Sequence, residues 1–179
     1  MLAVILVSGA LFLSIWVAGI IPVGHWGFAI GVNFLFMAVY TIIFDTLFSP
    51  AYSAKYFIAR PFERKGSIYQ WFGVNYYKYL LRLIGWEKII RKDQVIKRNM
   101  DSLLEFVTWT KGSEAIHLIA AISVIAFTIW IGWHYSISDI RWLIITNVLF
   151  NVYPVMLQRY NRPRIIRLIN FQKTRIRNR

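Results

Sequence analysis

The sequence contains no cysteine and few acidic residues. The absence of cysteine excludes a disulfide scaffold, thiolate metal sites and cysteine nucleophiles. Only eight Asp and Glu stand against 21 Lys and Arg, which gives a net charge of +13. The sequence also lacks a glycine-rich phosphate loop, a G-x-S-x-G nucleophile elbow and the H-E-x-x-H pattern of zinc enzymes. We therefore predict no metal site and no bound cofactor.

Hydrophobic residues, in contrast, are abundant. They make up 58% of the 179 residues, which is more than a soluble domain of this length can bury. A spanning helix needs about 20 mostly apolar residues. Four segments meet or approach that length, namely Met1–Ile21, Gly27–Phe48, Ala115–Tyr135 and Arg141–Leu157. The predicted fold class is all-α, a polytopic membrane protein with four transmembrane helices.

The basic residues are concentrated outside these spans. Residues 49–114 contain twelve Lys and Arg and six Asp and Glu, and residues 159–179 contain eight Lys and Arg and no acid. By the positive-inside rule, both segments and both termini are cytoplasmic. A nucleic-acid-binding protein would carry such charges on a folded soluble module, so we predict no nucleic-acid partner.

These features divide the chain into four segments. They are an N-terminal transmembrane hairpin (1–48), a cytoplasmic or interfacial segment (49–114), a second transmembrane hairpin (115–158) and a basic cytoplasmic tail (159–179). Within the second segment, Ser67–Trp86 is rich in Trp, Tyr and Leu, which is typical of an amphipathic helix in the membrane interface. Lys88–Arg98 is predicted to be a solvated basic stretch, and Asp101–Trp109 a short amphipathic helix.

Ionisable residues at the edge of an apolar span are candidates for a functional site. Glu114 and His117 are three residues apart at the start of the third predicted span, so they share one helical face. A carboxylate that orients an imidazole is typical of a general base, and a purely structural contact between them is the alternative. Counting back along the predicted hairpin from a turn near Ile137 places His117 level with Leu157–Gln158.

A dense group of polar residues follows the fourth predicted span. It consists of Gln158, Arg159, Tyr160, Asn161, Arg162, Pro163 and Arg164. Guanidinium groups at this density suit the binding of phosphate or carboxylate groups. Upstream, Pro154 frees the backbone carbonyl of Phe150 and lies close to Asn151, which predicts a kinked and locally polar helix. That helix lines a cavity or serves helix packing; the sequence leaves both open.

One motif is set aside. His134 and Asp139 match the H-x-x-x-x-D pattern of glycerolipid acyltransferases. They fall in the external hairpin between the third and fourth predicted spans, away from the basic group and from cytoplasmic acyl donors. We therefore do not assign this pair to an active site.

Three blocks of the sequence resemble a known family. They are Phe62–Tyr69 (FERKGSIY), Glu114–His117 (EAIH), and Asn151 followed by Gln158–Arg164 (QRYNRPR). In this order and spacing they resemble the glycosyl-4,4'-diaponeurosporenoate acyltransferases, membrane proteins of bacterial carotenoid biosynthesis. The resemblance covers about residues 60–168.

The resemblance implies an enzyme that moves a fatty acyl group from a thioester to a sugar hydroxyl of a membrane glycolipid, such as a carotenoid glycoside. The acyl donor, acyl-CoA or acyl carrier protein, is a co-substrate, and the location is the bacterial plasma membrane. The implied catalytic residues are His117 and Glu114. The expected substrate-binding residues are Glu63, Asn151, Gln158, Arg159, Tyr160, Asn161, Arg162 and Arg164. Glu63 would act either as a second acid or as a hydrogen-bond partner of an arginine.

A non-catalytic function is the alternative. A small accessory subunit of a larger membrane complex would use the arginine-rich segment to dock a lipid or an acidic partner. A transporter or channel is less consistent with the sequence, because the middles of the predicted spans carry no charge.

Overall fold

A computed structural model describes residues 1–47, 55–86 and 100–177, in which all regular secondary structure is helical. The predicted basic stretch Lys88–Arg98 lies outside the described residues. The α-helices are α1 (Leu2–Ala18), α2 (Trp26–Leu47), α3 (Val74–Leu83), α4 (Met100–Gly132), α5 (Ile137–Asn147) and α6 (Tyr153–Arg177). Two 3₁₀ segments, Lys55–Phe57 and Pro61–Gln70, precede α3, and the π-helical segment Val148–Val152 joins α5 to α6.

Three helical stretches are long and apolar enough to cross a membrane. They are Trp26–Thr46, Met100–Gly132 and Ile137–Arg175. The apolar helix α1 has 17 residues, fewer than the about 20 that a span requires. The all-α prediction is confirmed for the described residues, whereas the fourth span stays a prediction.

The chain folds as two compact units, each built from two separated stretches of sequence. The first unit comprises Met1–Ser49 and Ala115–Pro154, and the second comprises Pro50–Glu114 and Val155–Arg179. Each unit therefore combines two of the four predicted segments, and residues 155–158 belong to the second unit.

The core of the first unit is apolar and aromatic. Phe28 and Phe36 on α2 and Phe127 on α4 are almost completely buried. The ring of Phe127 lies 6.5 Å from each of the other two rings, at tilted angles that favour aromatic attraction.

Helix α4 is longer than the third predicted span. It begins at Met100, so it also includes the predicted amphipathic helix Asp101–Trp109. No proline interrupts this sequence, and a single internal glycine, Gly112, costs a helix only about 1 kcal/mol relative to alanine.

A capping box determines where the next helix begins. The backbone N–H and the hydroxyl of Ser136 lie 3.1 and 2.6 Å from Oδ2 of Asp139, the acid in the third residue of α5. This contact gives Asp139 of the H-x-x-x-x-D match a structural role in the first unit.

The predicted irregularity near Pro154 takes the form of a π-helical segment. The segment Val148–Val152 ends two residues before the proline. Because proline has no N–H, the usual i to i−4 bond to Phe150 cannot form, and a local π turn accommodates the missing donor.

Candidate functional site

A tight backbone turn in the second unit holds Glu63 in place. Arg64, Lys65 and Gly66 follow it in the left-handed region, with φ values of 47°, 57° and 87°. A Cβ atom on Gly66 would lie 2.7 Å from the carbonyl oxygen of Arg159, so only glycine allows this approach. The turn therefore places Glu63 against Arg159 of α6.

Arg159 connects two buried acids. Its Nε donates to Oε1 of Glu114 at 2.8 Å, and its Nη1 donates to Oε1 of Glu63. Its Nη2 donates to the backbone oxygen of Tyr56 at 3.0 Å. Both carboxylates are almost completely buried, so these charge-assisted bonds form where water screens them little.

Arg162 is buried on the same helix and holds the other oxygen of Glu114. Its Nη2 donates to Oε2 of Glu114 and, at 3.0 Å, to the backbone oxygen of Thr110. Its Nε donates to the Thr110 hydroxyl at 3.1 Å, and its Nη1 to the Phe57 carbonyl at 3.2 Å. We call Glu63, Glu114, Arg159 and Arg162 the charged cluster; its formal charges sum to zero.

A cavity of about 550 Å³ borders this cluster within the second unit. Its walls are largely apolar and include Phe57, Ile58, Val107, Pro163 and Ile166. Glu63, Arg159 and Arg162 line it together with Lys65, Lys111 and Arg167. A volume of this size, apolar walls and a few convergent polar groups are typical of a small-molecule site.

Glu63 has one carboxylate oxygen in use and one without a partner. Its Oε1 accepts the bond from Arg159, which is one of the two roles considered for this residue. Its Oε2 is buried and has no hydrogen-bond partner among the described residues. A buried acceptor without a partner is costly, so this oxygen adds to the free energy that the charged cluster must offset.

Two tyrosines adjoin the charged cluster. Burial raises the pKa of the Tyr56 phenol, and the charge of Glu114 raises it further against the opposing effect of Arg159. Burial likewise raises the pKa of Tyr69, with Glu63 as the next cause. Both phenols are therefore neutral over the physiological range and act as hydrogen-bonding groups.

Tyr160 is buried between two cations. The guanidinium carbon of Arg164 lies 3.6 Å from its ring centroid and the ammonium of Lys78 lies 5.3 Å from it. Its hydroxyl accepts a 3.1 Å hydrogen bond from the side-chain amide of Gln70. Arg164 is thus stacked on Tyr160, which is itself one of the predicted substrate-binding residues.

The other two predicted polar residues lie beside Tyr160 on α6. Gln158 is buried and its amide donates to the hydroxyl of Ser113 at 3.3 Å. Asn161 is half-buried. The predicted alignment of His117 with Leu157–Gln158 stays a prediction, and in the second unit Gln158 contacts Ser113.

His117 and Asn151 belong to a polar network in the first unit. The side chain of Asn151 and the backbone of Phe150 lie close to the His117 imidazole. Asn151 is completely buried and donates to Oδ1 of Asn33 at 2.7 Å and to Oδ1 of Asn147 at 2.9 Å. Nδ1 of His117 and Oδ1 of Asn151 are buried without a partner among the described residues.

The partners of Glu114 in the structure are two arginines. The sequence-based prediction instead pairs Glu114 with His117, which it would orient. Both of its oxygens already accept bonds from Arg159 and Arg162. The assignment of His117 and Glu114 as a catalytic pair stays a prediction.

Sequence patterns alone missed three contributors to the charged cluster. Thr110 precedes Glu114 by one helical turn, and this spacing could have indicated that they share a face. No sequence pattern could have indicated the carbonyl groups of Tyr56 and Phe57, because every residue carries the same backbone acceptor. Among the described residues, no group of three or more His, Cys, Asp and Glu could hold a metal ion.

Comparison with known proteins identifies the family. Residues 53–171 match the glycosyl-4,4'-diaponeurosporenoate acyltransferase family, and this stretch is more than half of the chain. The chain belongs to that family. No curated protein and no solved structure matches it.

The region that defines this acyltransferase family contains the charged cluster and the cavity beside it. Phe62–Tyr69, Glu114–His117 and Gln158–Arg164 all fall within the matched residues. Two of these blocks meet directly in the second unit, because Glu63 and Gly66 contact Arg159. The predicted family is confirmed, and the fold explains why its sequence blocks are far apart along the chain.

Proposed function

We propose that this member of the acyltransferase family is a membrane enzyme that transfers a fatty acyl group from a thioester to a sugar hydroxyl of a membrane glycolipid, such as a carotenoid glycoside. The observation that carries the proposal is the apolar cavity bordered by the buried charged cluster, in the region that matches the family. An apolar wall suits an acyl chain, and fixed charges suit a reaction that develops charge at a carbonyl oxygen.

The proposed setting is the bacterial plasma membrane, with four spans and both termini in the cytoplasm. Three helices that are long and apolar enough support it, together with the basic residues that flank them. The second unit would lie at the membrane interface. Its exposed aromatic residues support this position, since Trp71 is 87% exposed and Tyr76 is 83% exposed.

His117 is the proposed general base. It takes the proton of the acceptor hydroxyl as the oxygen attacks the thioester carbonyl, a new C–O bond forms and the C–S bond breaks. The imidazolium then returns the proton to the thiolate that leaves. Glu114 is proposed to stabilise the positive imidazolium by its negative charge.

The arginines are proposed to act on the donor. Arg159 and Arg162 border the cavity, where their charge would stabilise the oxyanion, and Arg164 would attract donor phosphates. Gln158, Tyr160, Asn161 and Asn151 are proposed to position the acceptor sugar.

The test is an assay on the purified full-length protein in lipid nanodiscs. Acyl-CoA or acyl carrier protein is supplied with a glycolipid extract, and both the free thiol and the acylated lipid are measured. His117→Ala is expected to reduce turnover at least 100-fold, on the order of general base catalysis. His134→Ala removes an exposed histidine of the rejected H-x-x-x-x-D match and is the matched control.

The two variants give opposite outcomes if the proposal is correct. Full turnover in the His117→Ala protein would refute the assigned base. The absence of thiol release from the wild-type protein with either donor would instead support the accessory-subunit alternative.

A further inference from the structure

Three buried asparagines form a hydrogen-bonded group in the first unit. Asn33, Asn147 and Asn151 are 1%, 4% and 0% exposed. Nδ2 of Asn151 donates to Oδ1 of Asn33 at 2.7 Å and to Oδ1 of Asn147 at 2.9 Å. A side-chain amide has two N–H donors. Both donors of Asn151 are therefore in use.

The two partners of Asn151 determine the orientation of its amide. Nδ2 of Asn33 donates to the Ala29 carbonyl at 2.9 Å, and Nδ2 of Asn147 donates to the Ala121 carbonyl at 3.1 Å. Because a carbonyl oxygen only accepts hydrogen bonds, neither asparagine can reverse its amide without losing a bond. Each therefore presents an oxygen to Asn151, which must answer with its N–H groups.

The remaining atom of the Asn151 amide is an acceptor that lies near His117. Its Oδ1 is buried without a partner among the described residues, and so is Nδ1 of His117. The side chain of Asn151 and the backbone of Phe150 both lie close to the imidazole. Pro154 has no N–H to donate to the Phe150 carbonyl. The neighbours of the imidazole thus offer oxygen acceptors.

A buried imidazole nitrogen beside acceptors is best satisfied when it carries a hydrogen. Neutral histidine has one N–H and one lone pair, and the surroundings decide which nitrogen has which. A hydrogen on Nδ1 of His117 allows it to donate to Oδ1 of Asn151, and this bond removes the cost of two buried atoms without partners. Catalytic hydrogen bonds are often long in ligand-free enzymes and shorten when substrate binds.

We infer that Asn151 is a positioning residue for His117: its Oδ1 accepts a hydrogen bond from Nδ1–H of the imidazole, Asn33 and Asn147 hold the amide in that orientation, and Nε2 takes the proton of the acceptor hydroxyl. This inference rests on the proposed function, in which His117 is the base. It refines the role of Asn151, because a completely buried amide acts on the acceptor through the imidazole. It also gives a role to Asn33, which lies outside the residues that match the family.

The central experiment determines the tautomer of His117 by solid-state NMR. The full-length protein is labelled with ¹⁵N-histidine and studied in lipid nanodiscs at about pH 8, where an ordinary imidazole is neutral. The chain has three histidines, so the difference from a His117→Ala spectrum identifies the signals of this residue. We expect Nδ1 to give the chemical shift of a protonated nitrogen and Nε2 that of an unprotonated one. The opposite assignment would overturn the inference without any variant of the network.

Asn33→Leu tests whether the network fixes the tautomer. Leucine is similar in size but removes the oxygen that accepts from Asn151, so the Asn151 amide is free to turn and present an N–H to His117. We expect the Nε2–H tautomer of His117 to increase. A base with a hydrogen on Nε2 cannot take the acceptor proton, so kcat should fall about 10-fold while both KM values change less than about twofold.

Thr146→Val is the matched control. Nδ2 of Asn33 also donates to the Thr146 hydroxyl at 2.9 Å, and valine removes this bond with little change in shape. The bond from Asn151 to Oδ1 of Asn33 is retained. The control is expected to lower the melting temperature, as Asn33→Leu does, but to keep the wild-type tautomer and kcat. This comparison separates a loss of stability from a loss of positioning.

The outcomes distinguish this inference from the proposed function. An Nε2–H tautomer in a wild-type protein that transfers acyl groups would overturn the inference and leave the reaction intact. An unchanged tautomer and kcat in a folded Asn33→Leu protein would likewise overturn it. An Nδ1–H tautomer that depends on Asn33, in a protein without turnover, would support the hydrogen-bond network and refute the proposed reaction.

Discussion

Arg162 contacts both oxygen atoms of Thr110. Its Nε donates to the threonine hydroxyl at 3.1 Å and its Nη2 to the threonine carbonyl at 3.0 Å. The same Nη2 also donates to Glu114 one turn further along α4. A planar fork of donors on α6 thus links to two successive turns of another helix, and this contact stabilises the second unit.

Arg162→Lys should destabilise the protein strongly. A single ammonium group cannot reproduce the planar fork, so Thr110, Phe57 and Glu114 would lose buried partners. The expected loss is about 3 kcal/mol, on the order measured when a buried ion pair is broken. The melting temperature in detergent measures it. Arg175→Lys, at an exposed position of α6, should melt like the wild type, and equal melting of both variants would contradict the prediction.

Gly66→Ala should also destabilise the second unit. The glycine has φ of +87°, and an added Cβ would approach the Arg159 carbonyl oxygen to 2.7 Å. Left-handed strain and the contact together should cost about 2 kcal/mol or more. The matched control is Gly112→Ala, because a Cβ at that helical glycine meets nothing within 4 Å. The control should be neutral or slightly stabilising in the same thermal assay, and a reversed order would contradict the structure.

Tyr77 should make stability depend on pH under alkaline conditions. Burial raises the pKa of its phenol to about 12, from an ordinary value of 10 in the unfolded chain. The folded state therefore retains a proton that the unfolded state loses, so stability is complete below pH 10 and falls as the pH rises towards 12. Tyr77→Phe should flatten this decline, measured as melting temperature between pH 9 and 12. Parallel curves for the two proteins would show that Tyr77 is not the cause.

Asn33 should be coupled energetically to Asn151. Its Oδ1 accepts a 2.7 Å bond from Asn151, and its Nδ2 donates to Thr146 at 2.9 Å. Hydrogen bonds between membrane helices contribute about 0.6 kcal/mol on average, with values up to about 1.7 kcal/mol. A double-mutant cycle with Asn33→Ala and Asn151→Ala should return a coupling energy in this range. Additive effects of the two substitutions would show that the bond is not important for stability.

Some features of the site could be predicted from local sequence and others could not. The spacing of Glu114 and His117, and the run Gln158–Arg164, were visible because each lies within one helix. The role of Glu63 as a partner of Arg159 was only one of two possibilities, since 96 residues separate them. The partners of Glu114 could not be predicted, because no local pattern states which distant arginine will face it.

The limits of the helices are a second feature that local sequence leaves open. A helix can extend or end by several residues at little cost in propensity, so apolar runs alone do not set its limits. The capping box at Ser136 and Asp139 sets the start of α5 at Ile137 through side-chain contacts that hydrophobic periodicity does not reveal.

The helical class, the apolar stretches, the excess of positive charge and the family could be inferred without a structure, because they depend on composition and on patterns within single segments. Only the packing of the folded chain brings Glu63 and Glu114 to Arg159, leaves one Glu63 oxygen without a partner among the described residues, and forms a cavity beside them. The physical reason is that buried charges must be paired, and which charges can pair depends on the packing of segments far apart in the chain.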